Sequence, residues 1–328
     1  MIKIAFFDAK PYDISAFEKY TEGNDISFKY FETKLTEDTV ALARGCDGVC
    51  VFVNDTVSAP VLDRLMKEGC KVIALRCAGY NNVDFKHLGD RIPVFNVPAY
   101  SPHSVAEHAM AMLLTSIRRI HKAYIRTKDF NFSLNGMTGF DLYSKTVGVV
   151  GTGKIGRCFI DICRGFGMKI LAYDKFPSEQ EGVTYTNLDT LFRESDIISL
   201  HCPLTEETYH LIDGEAMSKM KKRAIIINTS RGGLVDTGAL LDAIKERRLG
   251  GACLDVYEDE NELFFEDYSN HIVSDDILAR LISMPNVIVT SHQAFLTEEA
   301  LDNIAESTVK NIKGWLSNKC EDNRVIVK

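Results

Sequence analysis

The chain has 328 residues, enough for two domains of ordinary size, and its 45% hydrophobic and 26% charged residues are the proportions of a folded globular protein rather than a disordered one. Asp and Glu number 46 against 38 Lys and Arg, and the formal charge of −8 disfavours nucleic acid as a partner, because phosphate backbones are held by clustered cations. No stretch approaches the roughly twenty apolar residues that span a bilayer, and Met1-Ile2-Lys3-Ile4 is too short an apolar start for a signal peptide, so no membrane partner and a cytoplasmic location are expected. The nine cysteines are scattered with no C-x-x-C pair, which predicts free thiols and no zinc site.

Apolar runs at 2–7, 26–31, 48–53, 71–77 and 92–96 read as strands, and they alternate with helical patterns such as 36–43 and 58–68. That alternation predicts a parallel α/β unit. Pro98-Ala99-Tyr100-Ser101-Pro102 then reads as a linker, since two prolines disfavour helix until Ser101-Pro102 starts one. The helix so opened, 102–118, carries Val105, Ala106, Ala109, Met110 and Leu113 and is apolar almost all round. Such a helix is buried inside its domain or against a second subunit, and a homo-oligomer is expected. His103 and His108 on it read as structural histidines.

The apolar run 147–150 leads into Gly151-Thr152-Gly153-Lys154-Ile155-Gly156 and a helical stretch, 154–166. Glycines at a strand end let the backbone turn tightly and approach a pyrophosphate, while the N-terminus of the next helix turns free N–H groups toward that anion. Asp174 ends the following strand, 169–173, eighteen positions beyond Gly156, where a carboxylate accepts the hydroxyls of an adenosine ribose. The order predicts NAD rather than NADP, a preference that Lys175 softens.

Further strands are predicted at 197–200, 224–228, 250–256 and 286–290, so the chain holds two α/β units. The basic cluster 219–223 reads as a solvated helix end. Ligands of open α/β sheets sit beyond the carboxyl ends of the strands, which directs attention to three of these. Strand 224–228 breaks into Thr229-Ser230-Arg231-Gly232-Gly233, where an arginine can present two parallel N–H donors to a carboxylate. Strand 250–256 runs into Tyr257-Glu258-Asp259-Glu260, and strand 286–290 into Ser291-His292-Gln293. If that histidine meets a carboxylate, it becomes an acid/base suited to neutral pH; spacing alone leaves open whether they meet. An arginine for a carboxylate, a histidine for a proton and a nicotinamide for a hydride are what interconversion of a 2-keto and a 2-hydroxy acid requires, and no metal is needed.

The chain resembles the D-2-hydroxyacid dehydrogenase family, in particular its fermentative D-lactate branch, through long blocks: Leu75-Arg76-Cys77-Ala78-Gly79-Tyr80-Asn81-Asn82-Val83-Asp84, the glycine turn, His201-Cys202-Pro203-Leu204-Thr205, Asn228-Thr229-Ser230-Arg231-Gly232, Asp255-Val256-Tyr257-Glu258, Leu263-Phe264-Phe265-Glu266-Asp267 and His292-Gln293-Ala294-Phe295-Leu296-Thr297. The resemblance implies an oxidoreductase that reduces pyruvate to D-lactate with NADH, with Arg231, Glu260 and His292 as the catalytic set. It implies substrate contacts from Ala78, Gly79, Tyr100, Arg231, His292 and Phe295. For the cofactor it implies Gly151, Gly153, Lys154, Ile155 and Gly156 at the pyrophosphate and Asp174 at the ribose. Cys202 and Pro203 then lie near the adenosine, Thr229, Ser230 and Asp255 lie toward the nicotinamide, and Thr208 is a further cofactor contact.

It also implies that the C-terminal helix returns to the first α/β unit. The expected fold is therefore two doubly wound parallel sheets: a Rossmann-type NAD domain, 100–297, inserted in a flavodoxin-like substrate domain, 1–99 plus 298–328, with closure about 98–102 and 296–297. Asn261, in place of the proline that many members carry after the catalytic glutamate, marks the D-lactate branch. Alternatives are a neighbouring specificity, for hydroxypyruvate or longer 2-keto acids, and a nucleotide-sensing corepressor-like binding protein.

Overall fold

The computed structural model describes residues 1–21, 23, 25–260, 263–317 and 322–326. The chain divides into two compact units, Met1–Ser101 with Leu296–Lys328, and Pro102–Phe295. These divisions fall at 101/102 and 295/296, against 99/100 and 297/298 expected from the sequence.

The first unit runs β1 (Ile2–Phe6), α1 (Pro11–Thr21), β2 (Ile26–Tyr30), β3 (Gly48–Val51), α2 (Ala59–Lys67), β4 (Val72–Leu75), α3 (Phe85–Leu88) and β5 (Val94–Phe95). All neighbouring strands are parallel, in the order β2-β1-β3-β4-β5, the flavodoxin-like winding. Every residue of β3 and β4 is buried, because helices cover both faces of a parallel sheet, and for that reason these strands read in the sequence as unbroken apolar runs. Phe17 of α1 packs edge-to-face on Phe6 and Phe28, with ring centroids 4.9 and 5.3 Å apart. The C-terminal helix, Glu298–Leu316, completes this unit. Thr297 caps it by accepting from the Ala300 N–H, the Tyr20 hydroxyl donates to Asp302 at 2.7 Å, and Asn311 donates to the Asn96 carbonyl at 2.9 Å.

One helix expected here is not a helix. Within 36–43 only a 3₁₀ turn forms, at Val40–Ala43. The Thr39 hydroxyl accepts from the Thr36 N–H at 2.8 Å and donates to the Lys34 carbonyl at 2.6 Å, holding the backbone in a turn that competes with helix.

The second unit opens with α4 (Pro102–Arg118) and α5 (Ile120–Lys128). It continues through β6 (Thr146–Val150), α6 (Lys154–Gly165), β7 (Lys169–Tyr173), β8 (Val183–Tyr185), α7 (Leu188–Glu194), β9 (Ile197–Leu200), α8 (Gly214–Lys219), β10 (Ile225–Asn228), α9 (Thr237–Lys245), β11 (Gly251–Leu254), α10 (Asp276–Ser283) and β12 (Val287–Val289). Its strands are parallel in the order β12-β11-β10-β9-β6-β7-β8, which reverses direction between β9 and β6. That reversal is the switch point of a Rossmann sheet, and the glycine turn follows β6 directly. β8 was not anticipated; three residues at a sheet edge are too short to print a pattern.

Helix α4 sends Ala106, Ala109, Met110, Met112, Leu113 and Ile117 into this unit's own core. Of the two destinations open to an apolar helix, the domain interior is the one observed. Among the described residues no helix is long and apolar enough to cross a membrane, and eight cysteines are free. Cys320 lies outside the described residues.

Candidate active site

Three glycines shape the turn after β6, each for a different reason. Gly151 has φ 94°, a left-handed conformation, and a Cβ there would collide with the backbone of His201. A Cβ at Gly156 would overlap the Gly151 carbonyl, so α6 can approach the turn only because this position is bare. At Gly153 a Cβ would meet nothing, which leaves the uncapped start of α6 open to a ligand phosphate beside Lys154 and Ile155.

Asp174, at the end of neighbouring β7, fits the ribose end of the same ligand. Its Oδ2 accepts from the Thr152 N–H at 2.6 Å and the Thr152 hydroxyl at 2.9 Å, and Oδ1 accepts from the Phe176 N–H at 2.8 Å. Burial alone would raise this carboxyl, but those donors outweigh it and hold the group below its ordinary range. An ionised carboxylate offers about four lone-pair sites, so Oδ1 keeps capacity for a hydroxyl. Thr152 is itself held by the Tyr185 hydroxyl, 3.1 Å from its own, which gives the unanticipated β8 a place in the site.

Strands β10, β11 and β12 are sheet neighbours, with Asn228 paired to Leu254 and Leu254 to Val289. Arg231 and His292 each lie three residues past these matched positions, in the loops that follow the strands on either side of β11. Glu260 emerges from the strand between. His292 Nδ1 is 3.0 Å from Glu260 Oε1, with both side chains largely buried, at 15% and 19% exposure. The carboxylate thereby fixes the tautomer and leaves Nε2 to exchange a proton. Phe265 lays its ring 5.8 Å from the imidazole. Arg231 spends one N–H on the Ser230 carbonyl, at 2.6 Å, which leaves the remainder of its planar fork for a carboxylate.

His292 has φ 53°, unusual for a residue with a side chain, and the turn that imposes it is built on Asp255. Asp255 is fully buried; Oδ1 accepts from the Thr290 hydroxyl at 2.5 Å and the Gln293 N–H at 2.9 Å, Oδ2 accepts from the Ala294 N–H at 2.9 Å, and its carbonyl accepts from the His292 N–H at 2.7 Å. His108 of α4 completes the cage, with Nε2 3.3 Å from Oδ1. Burial would raise this carboxyl, yet its bonds to His108, Thr290 and Ala294 hold it below the ordinary range. The Asp255 oxygens are thus directed at the 290–294 turn.

The other expected contacts divide between the units. In the second, Cys202 and Pro203 follow β9, and the Thr208 hydroxyl closes their loop by donating to the Pro203 carbonyl at 2.7 Å and accepting from the Thr205 N–H at 2.8 Å. The Ser230 hydroxyl donates to the Leu200 carbonyl at 2.8 Å, whereas the Thr229 hydroxyl is buried with no partner among the described residues, as a ligand-facing group would be. Phe295 is buried. In the first unit, Ala78 and Gly79 follow β4, where Asn96 donates to the Ala78 carbonyl at 2.8 Å, and Asn303 donates to the Tyr100 carbonyl at 2.7 Å. Asn261 lies outside the described residues. Among those described, no group of His, Cys, Asp and Glu could hold a metal ion.

Residues 110–294 match the family model for the NAD binding domain of D-isomer specific 2-hydroxyacid dehydrogenases. The chain is 51% identical to a D-lactate dehydrogenase of Escherichia coli over 317 residues, covering 95% of this chain and 96% of that one. The apo-structure of D-lactate dehydrogenase from Escherichia coli superposes with a TM-score of 0.91 at 46% identity, covering 99% of this chain and all of that one. A D-lactate dehydrogenase from Aquifex aeolicus, complexed with NAD and lactic acid, gives a TM-score of 0.86 at 35% identity over 99% of each chain.

The Asp255 cage carries a pH dependence. A carboxyl held below its unfolded value stabilises the fold above about pH 4 and loses that contribution as the pH falls through its folded pKa. Asp255→Asn is therefore expected to lower Tm at pH 7 and to flatten the decline of Tm between about pH 5 and pH 3. Scanning calorimetry across that range checks it; a variant that parallels the native protein throughout contradicts the assignment.

Proposed function

Given that this chain belongs to the family of D-isomer specific 2-hydroxyacid dehydrogenases, we propose that it reduces pyruvate to D-lactate with NADH, reversibly, with Arg231, Glu260 and His292 as its catalytic residues. The observation that carries this reading is the 3.0 Å His292–Glu260 pair, set one and two strands from Arg231 at the carboxyl edge of the sheet that bears the glycine turn. Bound at that turn, NADH supplies a hydride to the keto carbon.

The chain's own residues do the rest. Arg231 binds the substrate carboxylate through its remaining donors and so orients the keto group. His292 Nε2 hands its proton to the keto oxygen as negative charge grows there, and Glu260 stabilises the imidazolium before that transfer. In the reverse direction the same nitrogen accepts the hydroxyl proton. Asp174 favours an unphosphorylated ribose, hence NAD. The eight free cysteines among the described residues fit a reducing, cytoplasmic setting.

Wild-type protein is expected to oxidise NADH in the presence of pyruvate and to yield the D isomer, and a lack of turnover with any 2-keto acid contradicts the activity. His292→Gln is expected to slow kcat by about 100- to 10,000-fold, the usual weight of general acid–base catalysis, with Tm little changed. Turnover near normal in that variant removes His292 from the mechanism.

Specificity follows from Phe295, a bulky buried side chain three residues past His292 that limits the substrate to about a methyl group. The expected order of kcat/KM is pyruvate over 2-ketobutyrate over phenylpyruvate. Equal values for all three dispose of that role.

The same reading includes a homo-oligomer, placed at α5 rather than α4. Helix α5 buries none of its residues, and Ile120, Tyr124, Ile125, Phe130, Phe132 and Leu134 are all more than half exposed. So short a helix draws its stability from packing, and at ~150–250 Å² per aromatic ring this surface exceeds the few hundred Å² a monomer leaves open. It approaches the ~800 Å² per partner of a standard interface, which a second copy of the chain supplies. Sedimentation is expected to give an oligomer that Ile125→Asp with Phe132→Asp dissociates, and a monomeric wild type at micromolar concentration refutes it.

A further inference from the structure

A further histidine–carboxylate pair adjoins the loop that carries Glu260. His210 Nε2 is 2.5 Å from Glu258 Oε1, two residues before Glu260. The same oxygen accepts from the Tyr209 hydroxyl at 3.0 Å, and Oε2 accepts from the Thr237 hydroxyl at 3.1 Å. Burial opposes ionisation of Glu258, but these three donors overcome it and keep the carboxyl below its ordinary range. The pair is mostly enclosed, with side-chain exposures of 28% and 20%.

What makes it more than a buried ion pair is its connectivity. The backbone N–H of His210 donates to the Gly233 carbonyl at 2.8 Å, two residues past Arg231. From there the chain zips along the segment after Arg231: Ile212 donates to the Leu234 carbonyl and Asp236 to the Ile212 carbonyl, both at 3.0 Å. His210 therefore grips the Arg231 loop with its backbone and the Glu260 loop with its side chain. Between the two loops, Gly232 lies so close to the Tyr257–Glu258 peptide that a Cβ would overlap it. His210 is also held in a left-handed conformation, φ 50°, with the Tyr209 ring stacked on its imidazole at 3.9 Å.

We propose that His210 and Glu258 are positioning residues that set the spacing between the Arg231 substrate clamp and the Glu260–His292 acid–base pair. The inference rests on the activity proposed above and concerns how its two halves are held in register. A misplacement of about 1 Å between groups that act on one small substrate costs on the order of 100-fold in rate, so a bridge of this kind registers in turnover well before it registers in folding. The 203–208 turn is closed by its own Thr208 bonds, so loss of the bridge leaves the adenosine side of the cofactor site in place.

Two variants break the bridge and one preserves it. His210→Asn tolerates the left-handed backbone but is too short to reach Glu258, and Glu258→Ala removes the acceptor. Glu258→Gln keeps an oxygen acceptor for His210 and Tyr209, gives up the charge, and presents an NH2 to the Thr237 hydroxyl, which can turn to accept from it. Steady-state kinetics with pyruvate, and NADH binding followed by its fluorescence, are measured on all three beside wild type. The expected result is a drop of about 100-fold in kcat/KM for pyruvate in His210→Asn and Glu258→Ala, NADH Kd within about threefold of wild type, and recovery to within about fivefold in Glu258→Gln.

A folded His210→Asn that works at the wild-type kcat/KM overturns the proposal. So does a loss that NADH affinity shares in equal measure, or a Glu258→Gln as impaired as Glu258→Ala. Should Glu258→Ala fail to fold, His210→Asn decides. Failure of the activity itself is distinguishable, because wild type then turns over no 2-keto acid and the bridge has no reaction to serve.

Discussion

The candidate site depends on one constraint, the register of three adjacent parallel strands. Asn228, Leu254 and Val289 lie side by side across β10, β11 and β12, and the reactive side chains leave the sheet within a few residues of that line. A parallel ladder carries side chains alternately to opposite faces, so a one-residue slip of β12 would invert every one of its contacts. Helices on both faces bury these strands completely at β10 and β11, which makes such a slip prohibitively costly. Reactive geometry is thus inherited from core packing.

On that base, the loops beyond the strands are held by side chains that face one another across the sheet edge. Asp255 organises the turn that carries His292, Glu260 orients the imidazole, and Glu258 answers to His210. Three of the four carboxylates in 255–260 consequently have three distinct partners. The left-handed conformation at His292 costs on the order of 1–3 kcal/mol and persists because the bonds around Asp255 over-determine it. Mutual geometry here is stored in hydrogen bonds between loops rather than in any single loop.

Legibility in the sequence followed burial. Strand β9 reads at its observed bounds, and β10 within one residue, because fully buried parallel strands print continuous apolar runs. The glycine turn and Asp174 were legible because bare positions and a strand-end acid are local requirements. Residues 36–43 misled, since the apolar spacing of a helix is present but the hydroxyl of Thr39 captures the backbone first. The acidic run at 258–260 could not be resolved by spacing either. Which carboxylate meets which histidine depends on β12 lying beside β11, and on the 210–212 segment lying along 233–236, and neither adjacency is written locally. The 38 and 39 residues separating Asp255 from Gln293 and Ala294 hide that cage for the same reason.

Because the first unit is assembled from both chain ends, its order of synthesis differs from its order in space. Tyr20 and Asn96 emerge from the ribosome long before Asp302 and Asn311, the partners that later bond to them. At ~5–20 residues per second, the nascent sheet β1–β5 waits on the order of 10–40 s while the inserted unit is made. The inserted unit, continuous in the polypeptide, is complete before its host. During synthesis, therefore, the host unit stays half-built until its last helix has emerged.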